Sequence, residues 1–203
     1  MSERRYFPVS GLIAFALAFF AVPATAGLIT VSGGVNHTTP ASNDIVGQVS
    51  GTLGGNLYLT GPASLTYTYL GKEAGWTNLF LALGDTSFGL MDTRTSSVGD
   101  SFSVTQSAPG LINFSFLVLN TGRFVANGAN GLSPLVPNFF TQVIGDSIVR
   151  LMLDDGGAGP DNDLDDLVVE LRATATSVPE PGTLALLSGG LLALLGIRRR
   201  RLA

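Results

Sequence analysis

The chain of 203 residues has no cysteine, a single histidine, a single lysine and a single tryptophan. Without cysteine there is no disulfide and no thiolate nucleophile. One histidine and no cysteine exclude a zinc site built from such ligands. A Ser-His-Asp triad would have to use His37, which lies in the polar stretch Asn36-His37-Thr38-Thr39-Pro40 and reads as a surface loop residue. No Gly-x-Ser-x-Gly elbow stands at a strand–helix junction. Acids are plentiful, and two of them at a glycosidase separation would be invisible in a sequence. Apart from that pairing, the residues point away from an enzyme. Charge is also scarce, at 13% of residues. Between residues 27 and 177 no sustained helical period occurs.

The amino end has the three parts of a secretory signal peptide. Arg4 and Arg5 supply the positive region, Val9 to Val22 the apolar core, and Ala24-Thr25-Ala26 an A-x-A cleavage site. The mature chain is expected to start at Gly27. Arg4-Arg5-Tyr6-Phe7 is close to a twin-arginine signal, but Pro8 stands where that pattern needs an apolar residue, which favours the general secretory route. Residues 27–177 then carry five basic residues against thirteen acidic ones, a net of −8. So acidic a body cannot bind nucleic acid by neutralising phosphates. About 150 residues suffice for one sizeable core.

That body is made of short runs rich in Val, Ile, Thr, Tyr and Phe, separated by Gly, Asn, Asp and Pro, which is the pattern of an all-β fold. Strands are expected at 28–32, 44–51, 56–60, 64–70, 76–83, 88–91, 101–106, 111–119, 139–144, 148–153 and 167–173. In the fourth, Leu65, Tyr67 and Tyr69 share one face and Thr66 and Thr68 the other. The run 76–83 is nearly all apolar, as in a strand buried on both faces. Ile112, Phe114, Phe116 and Val118 alternate as the strongest core strand. Residues 120–138 read as a long loop. Nine to eleven such strands predict a β-sandwich or jelly-roll-like body over residues 27–173, followed by a small-residue linker at 174–178.

Beyond the linker, Pro179-Glu180-Pro181 is followed by an uncharged run from Thr183 to Ile197 and then by Arg198, Arg199, Arg200 and Arg201. The apolar run can be helical in hydrocarbon with its backbone groups bonded internally. Fifteen residues span roughly 22 Å at about 1.5 Å each, short of a bilayer core of about 30 Å. Ser188-Gly189-Gly190 weakens it further. The arginines hold its end on the cytoplasmic side. The two prolines keep the tripeptide extended and outside the helix. Composition alone also fits an ordinary membrane anchor.

In this order the three parts resemble the PEP-CTERM sorting signal of exported bacterial proteins, also labelled an ice-binding-protein carboxyl-terminal motif, a name that implies no ice binding here. The resemblance spans residues 178–201 and implies that an exosortase, a membrane-embedded cysteine transpeptidase, recognises the tripeptide and removes the tail.

Two segments of the body carry more than pattern. Tyr69-Leu70-Gly71-Lys72-Glu73-Ala74-Gly75-Trp76-Thr77-Asn78 is similar to a Gly-x-Glu-Ala-Gly-aromatic-x-Asn segment in exported PEP-CTERM proteins. By its residues it is a tight connection between strands that buries Trp76, with Glu73 and Asn78 placed to bond loop amides or to sit near a metal. The second segment, 153–169, holds six aspartates within thirteen residues. Crowded carboxylates repel unless water, turn amides or a cation offsets them. Oxygen ligands on a flexible Gly-rich loop are what Ca²⁺ takes, so Asp161, Asp163 and Asp165, with Asp154 and Asp155 next, are candidate calcium ligands. The same side chains could instead cap turn amides, and Asp166 could face inward and close the turn against strand amides. An EF-hand is excluded, because Asp166 stands where its glycine belongs and Arg172 where its glutamate belongs. The acidic loop with Asp-Asp-Leu-Val-Val resembles one in PEP-CTERM bodies that is a suspected calcium site.

These readings predict an exported, non-catalytic protein held transiently in the inner membrane and then delivered to the cell surface or a polysaccharide matrix. Two alternatives are a calcium-dependent module that binds glycan or another matrix component, and a permanently anchored membrane protein.

Overall fold

The computed structural model describes residues 27–133, 135–156 and 163–176. The expected signal helix with Ala24 and Ala26, the tail from Pro179 to Arg201 with its apolar run, and Asp161 lie outside them. Gly27 lies inside: its carbonyl accepts a hydrogen bond from Thr60 Oγ1 at 3.1 Å.

Fourteen strands are described: β1 (Ile29–Ser32), β2 (Val35–Thr38), β3 (Ser50–Leu53), β4 (Asn56–Leu59), β5 (Ala63–Gly71), β6 (Asn78–Leu83), β7 (Phe88–Asp92), β8 (Ser101–Gln106), β9 (Gly110–Leu111), β10 (Phe114–Val118), β11 (Arg123–Ala126), β12 (Asn138–Gly145), β13 (Ile148–Asp154) and β14 (Leu167–Ala175). They form three antiparallel sheets. The largest has the order β2-β3-β12-β13-β14-β5-β8; the others are β11-β10-β6-β7 and β1-β4-β9. The period-2 pattern of β5 is realised in full: Leu65, Tyr67 and Tyr69 are buried, while Ser64, Thr66, Thr68 and Leu70 are half-buried on the opposite face. β14 runs on through Thr174 and Ala175, which pair with Ser64 and Ala63.

One apolar core takes side chains from all three sheets, among them Leu57 and Leu59, Phe80, Phe114 and Phe116, and Tyr67, Phe139 and Leu151. The layers are therefore packed face to face, as in a sandwich. A smaller cluster lies on the other face of the large sheet, where Phe140, Met152, Leu164 and Val168 are covered by Ile45, Val46 and Val49. The strands buried on both faces are consequently β12, β13 and β14 near this cluster. β6 is not one of them. Its Asn78, Phe80 and Ala82 are buried, but Leu79 and Leu81 are only half-buried and Leu83 is exposed. Phe88, Leu90 and Phe124 continue that exposed apolar face on β7 and β11.

Other expectations change as well. Residues 44–49 are not strand. Thr39 and Asn43 fold them into turns: Val49 N donates to Thr39 Oγ1 at 2.8 Å and Val46 N to Asn43 Oδ1 at 2.8 Å. Ile45, Val46 and Val49 look like strand residues because they cover a sheet face. His37 sits on β2 with its ring edge-on to Phe140 at 6.1 Å, not in a loop. The expected strand 111–119 is split between β9 and β10. Inside the expected loop 120–138, β11 pairs with β10 from Arg123↔Val118 to Ala126↔Ser115.

Tyr67 sits at the centre of the core, its ring 5.0 Å from Phe80 and 5.3 Å from Phe102. Its hydroxyl is buried without a hydrogen-bond partner. Burial pushes the phenol far above its ordinary value, because the phenolate cannot be solvated there. The folded-state value is raised, so the stability linked to this proton is fully present below the unfolded value near pH 10 and is lost as pH rises above it. Tyr67→Phe removes the unpaired hydroxyl. It is expected to leave stability unchanged or raise it by about 1–3 kcal/mol, and to flatten the loss of stability above roughly pH 10. Urea unfolding at neutral and alkaline pH checks both; a clear loss of stability at neutral pH would show that the hydroxyl has a partner.

Candidate functional site: an acidic centre joining two connections

The register of the large sheet explains why distant acidic residues meet. β5 and β14 run antiparallel, with Gly71 opposite Val168. Continuing past that pair by a few residues on each strand brings Glu73 to Asp165, and Glu73 N donates to Asp165 O at 3.0 Å. Gly71 has φ +147°, and a Cβ there would stand 3.0 Å from Ile45 Cδ1, so glycine lets the chain pass under the covering segment.

One carboxylate oxygen from each of Glu73, Asp163 and Asp165 lies within 4.8 Å of the other two. Asp163 is 7% exposed and Asp165 0%, while Glu73 is exposed. At the upper separation of 4.8 Å, two buried charges such as Asp163 and Asp165 repel by about 3.5 kcal/mol at an effective dielectric of about 20. Neither Glu73 nor Asp165 forms an ion pair with a basic residue among the described residues. Lys72, next in the chain to Glu73, donates to Ala74 O at 3.1 Å instead.

The backbone around these groups is held from a third connection. Asn43 Nδ2 donates to Asp163 O at 2.9 Å, and Asp44 N donates to Asp165 Oδ2 at 2.6 Å. Between the two aspartates Leu164 has φ +64°, the one positive φ at a non-glycine residue described. This conformation is costly for a leucine. It is held because the Leu164 side chain is buried in the smaller apolar cluster. Asp165 Oδ1 is buried and accepts no hydrogen bond.

The other aspartates take different positions. Asp154 Oδ1 accepts from Gly156 N at 2.9 Å. Asp155 Oδ2 accepts from Asn78 Nδ2 at 3.0 Å, and Asp155 N donates to Asp166 Oδ2 at 2.8 Å. Asp166, half-buried, thus closes the turn against a backbone amide. Asp154 and Asp155 do not join the cluster of three. The bond from Asn78 ties the β5–β6 connection to the end of β13. Trp76 is only half-buried, and Ala74 is the buried residue of that connection.

The sequence pointed to Asp163 and Asp165, and it left Glu73, in a separate segment, either to bond loop amides or to sit near a metal. Asn43 and Asp44 were missed altogether. The one signal was an Asn-Asp pair ahead of apolar residues, the chemistry of a turn. Elsewhere, His37 and Asn36, Thr38, Ser50, Gly51 and Thr52 line an open groove of about 620 Å³ beside β2 and β3. No helix among the described residues is long and apolar enough to cross a membrane.

Neither the curated proteins nor the solved structures include a match to this chain. Residues 177–201 match the family described as the PEP-CTERM protein-sorting motif. The matched segment begins two residues after β14 ends at Ala175, where the last described strand is complete. A folded all-β body is therefore followed directly by an addressing segment, and the chain carries the PEP-CTERM protein-sorting motif.

Proposed function

We propose that this is an exported, non-catalytic β-sandwich protein, held in the inner membrane by its tail until an exosortase processes it, and then delivered to the cell surface or the extracellular polysaccharide matrix. The match at residues 177–201 carries the reading, since that motif supports exosortase-dependent sorting of an exported protein. The fold is compatible with it. β14 is an inner strand of the large sheet, paired on both sides, and it is complete before the motif begins. Cleavage at Pro179-Glu180-Pro181 would leave every described strand pairing in place. The non-catalytic part of the reading is supported by the scarcity of residues suited to nucleophilic or acid–base chemistry: one histidine, one lysine and no cysteine.

The intact mass of the mature protein, compared between cells with and without the exosortase, tests this. The expected result is a mature chain that starts at Gly27 and lacks the apolar run and arginines when the enzyme is present, and that retains them when it is absent. An identical mass in both strains, tail included, would overturn the reading in favour of a permanently anchored protein.

A further inference from the structure

We propose that Glu73, Asp163 and Asp165 form a calcium site that ties the β5–β6 connection to the β13–β14 connection. Ligand oxygens on opposite sides of a Ca²⁺ ion are about 4.8 Å apart, twice a bond of roughly 2.4 Å. Three oxygens mutually within 4.8 Å are thus already spaced to share one such ion. The independent observation is Asp165. Its side chain is 0% exposed, one oxygen accepts from Asp44 N, and the other, Oδ1, is buried with no donor. Buried carboxylate oxygens are normally satisfied by hydrogen bonds or by a metal. Among the described residues no basic side chain pairs with Asp165 or Glu73 to do so.

The chemistry of the donors selects the ion. All three are hard carboxylate oxygens, with no histidine or cysteine in the cluster, which disfavours zinc and copper. Mg²⁺ is bound through one or two carboxylates with near-ideal octahedral geometry and keeps most of its water. Ca²⁺ accepts more protein oxygens on irregular backbone. Glu73, being exposed, leaves an open side through which the ion enters and where water completes the coordination. The site does not depend on the tail or on its processing.

The test uses the full-length protein in detergent micelles, with CaCl₂ alone as the probe. For a dissociation constant of about 10⁻⁴ M, typical of extracellular calcium modules, 10 mM Ca²⁺ should raise the melting temperature by roughly 5–10 °C, and a chelator should reverse it. Near-UV circular dichroism reads the transition of the body. Trp76 gives a second readout. It lies three residues from Glu73, within roughly 11 Å along the chain, so Tb³⁺ bound at the site should show tryptophan-sensitised luminescence that Ca²⁺ displaces. Asp165→Asn keeps the side-chain shape and the bond to Asp44 N but should abolish both signals. Glu73→Gln, at an exposed position, should weaken binding at least tenfold without altering the calcium-free melt. Asp146→Asn, at the opposite end of β13, should bind as the unaltered protein does. The proposal is overturned if the unaltered protein shows no calcium shift, if Mg²⁺ at equal concentration gives the same shift, or if both cluster variants bind normally.

Discussion

Replacing Phe80 by alanine is expected to lower the stability of the body by about 3–5 kcal/mol, the usual cost of truncating a fully buried phenylalanine. For a domain of this size the melting temperature should fall by roughly 8–16 °C. Phe80 is 0% exposed. Its ring touches four others: Tyr67 at 5.0 Å, Phe116 at 5.0 Å, Phe114 at 5.7 Å and Phe102 at 6.4 Å. Tyr67 and Phe102 belong to the large sheet, and Phe114 and Phe116 to the four-stranded one. The cavity left by Phe80→Ala would open between the layers, where neither sheet can close it without moving as a whole. Phe88→Ala is the matched comparison. Phe88 lies on the neighbouring strand of the same sheet but is 74% exposed on the outer face, so its loss should cost no more than about 0.5 kcal/mol. Equal costs for the two variants, measured by urea unfolding, would show that the layers do not pack around Phe80.

Asn127→Ala should cost about 2–4 kcal/mol through a different mechanism. Asn127 is 7% exposed and joins the two small sheets. Its Oδ1 accepts from Leu57 N at 2.8 Å, and its Nδ2 donates to Leu57 O at 2.8 Å and to Ile112 O at 2.7 Å. Leu57 O keeps a second donor, Ile112 N at 3.1 Å. The alanine variant therefore strands Leu57 N and Ile112 O, each a buried backbone group that no longer has this partner. Asn127→Asp should be at least as harmful, because it keeps the shape but replaces the amide donor with a charge facing two carbonyls. Thermal melts of both variants check this. An Asp variant as stable as the parent would mean that the amide does not donate to those carbonyls.

The exposed apolar face of β6, β7 and β11 shows how an apolar run can mislead. Leu79, Leu81 and Leu83 alternate with the buried Asn78, Phe80 and Ala82, so hydropathy along β6 cannot tell a covered face from an open one. The converse holds at 44–49. Ile45, Val46 and Val49 have strand composition, yet they close the outer face of β12, β13 and β14, and side chains of Thr39 and Asn43 fold them. β11 was hidden because Arg123-Phe124-Val125-Ala126 is short and set among Gly and Asn. Its strand character comes from the partner β10, since pairing across a sheet supplies what local propensity lacks.

The sequence alone determined the class of the fold, most of its strands, the alternation along β5 and the three-part addressing segment. All of these are written in local order: period-2 burial, turn residues, and apolar and basic blocks in series. Only the tertiary structure decided that Glu73 meets Asp163 and Asp165, that Asn43 and Asp44 hold them, and that Asp154, Asp155 and Asp166 turn to other partners. Residues some ninety positions apart become neighbours because β5 and β14 pair antiparallel in one register. Strand pairing is a choice among chain segments that all carry the same alternation, and it is settled by packing the whole core at once.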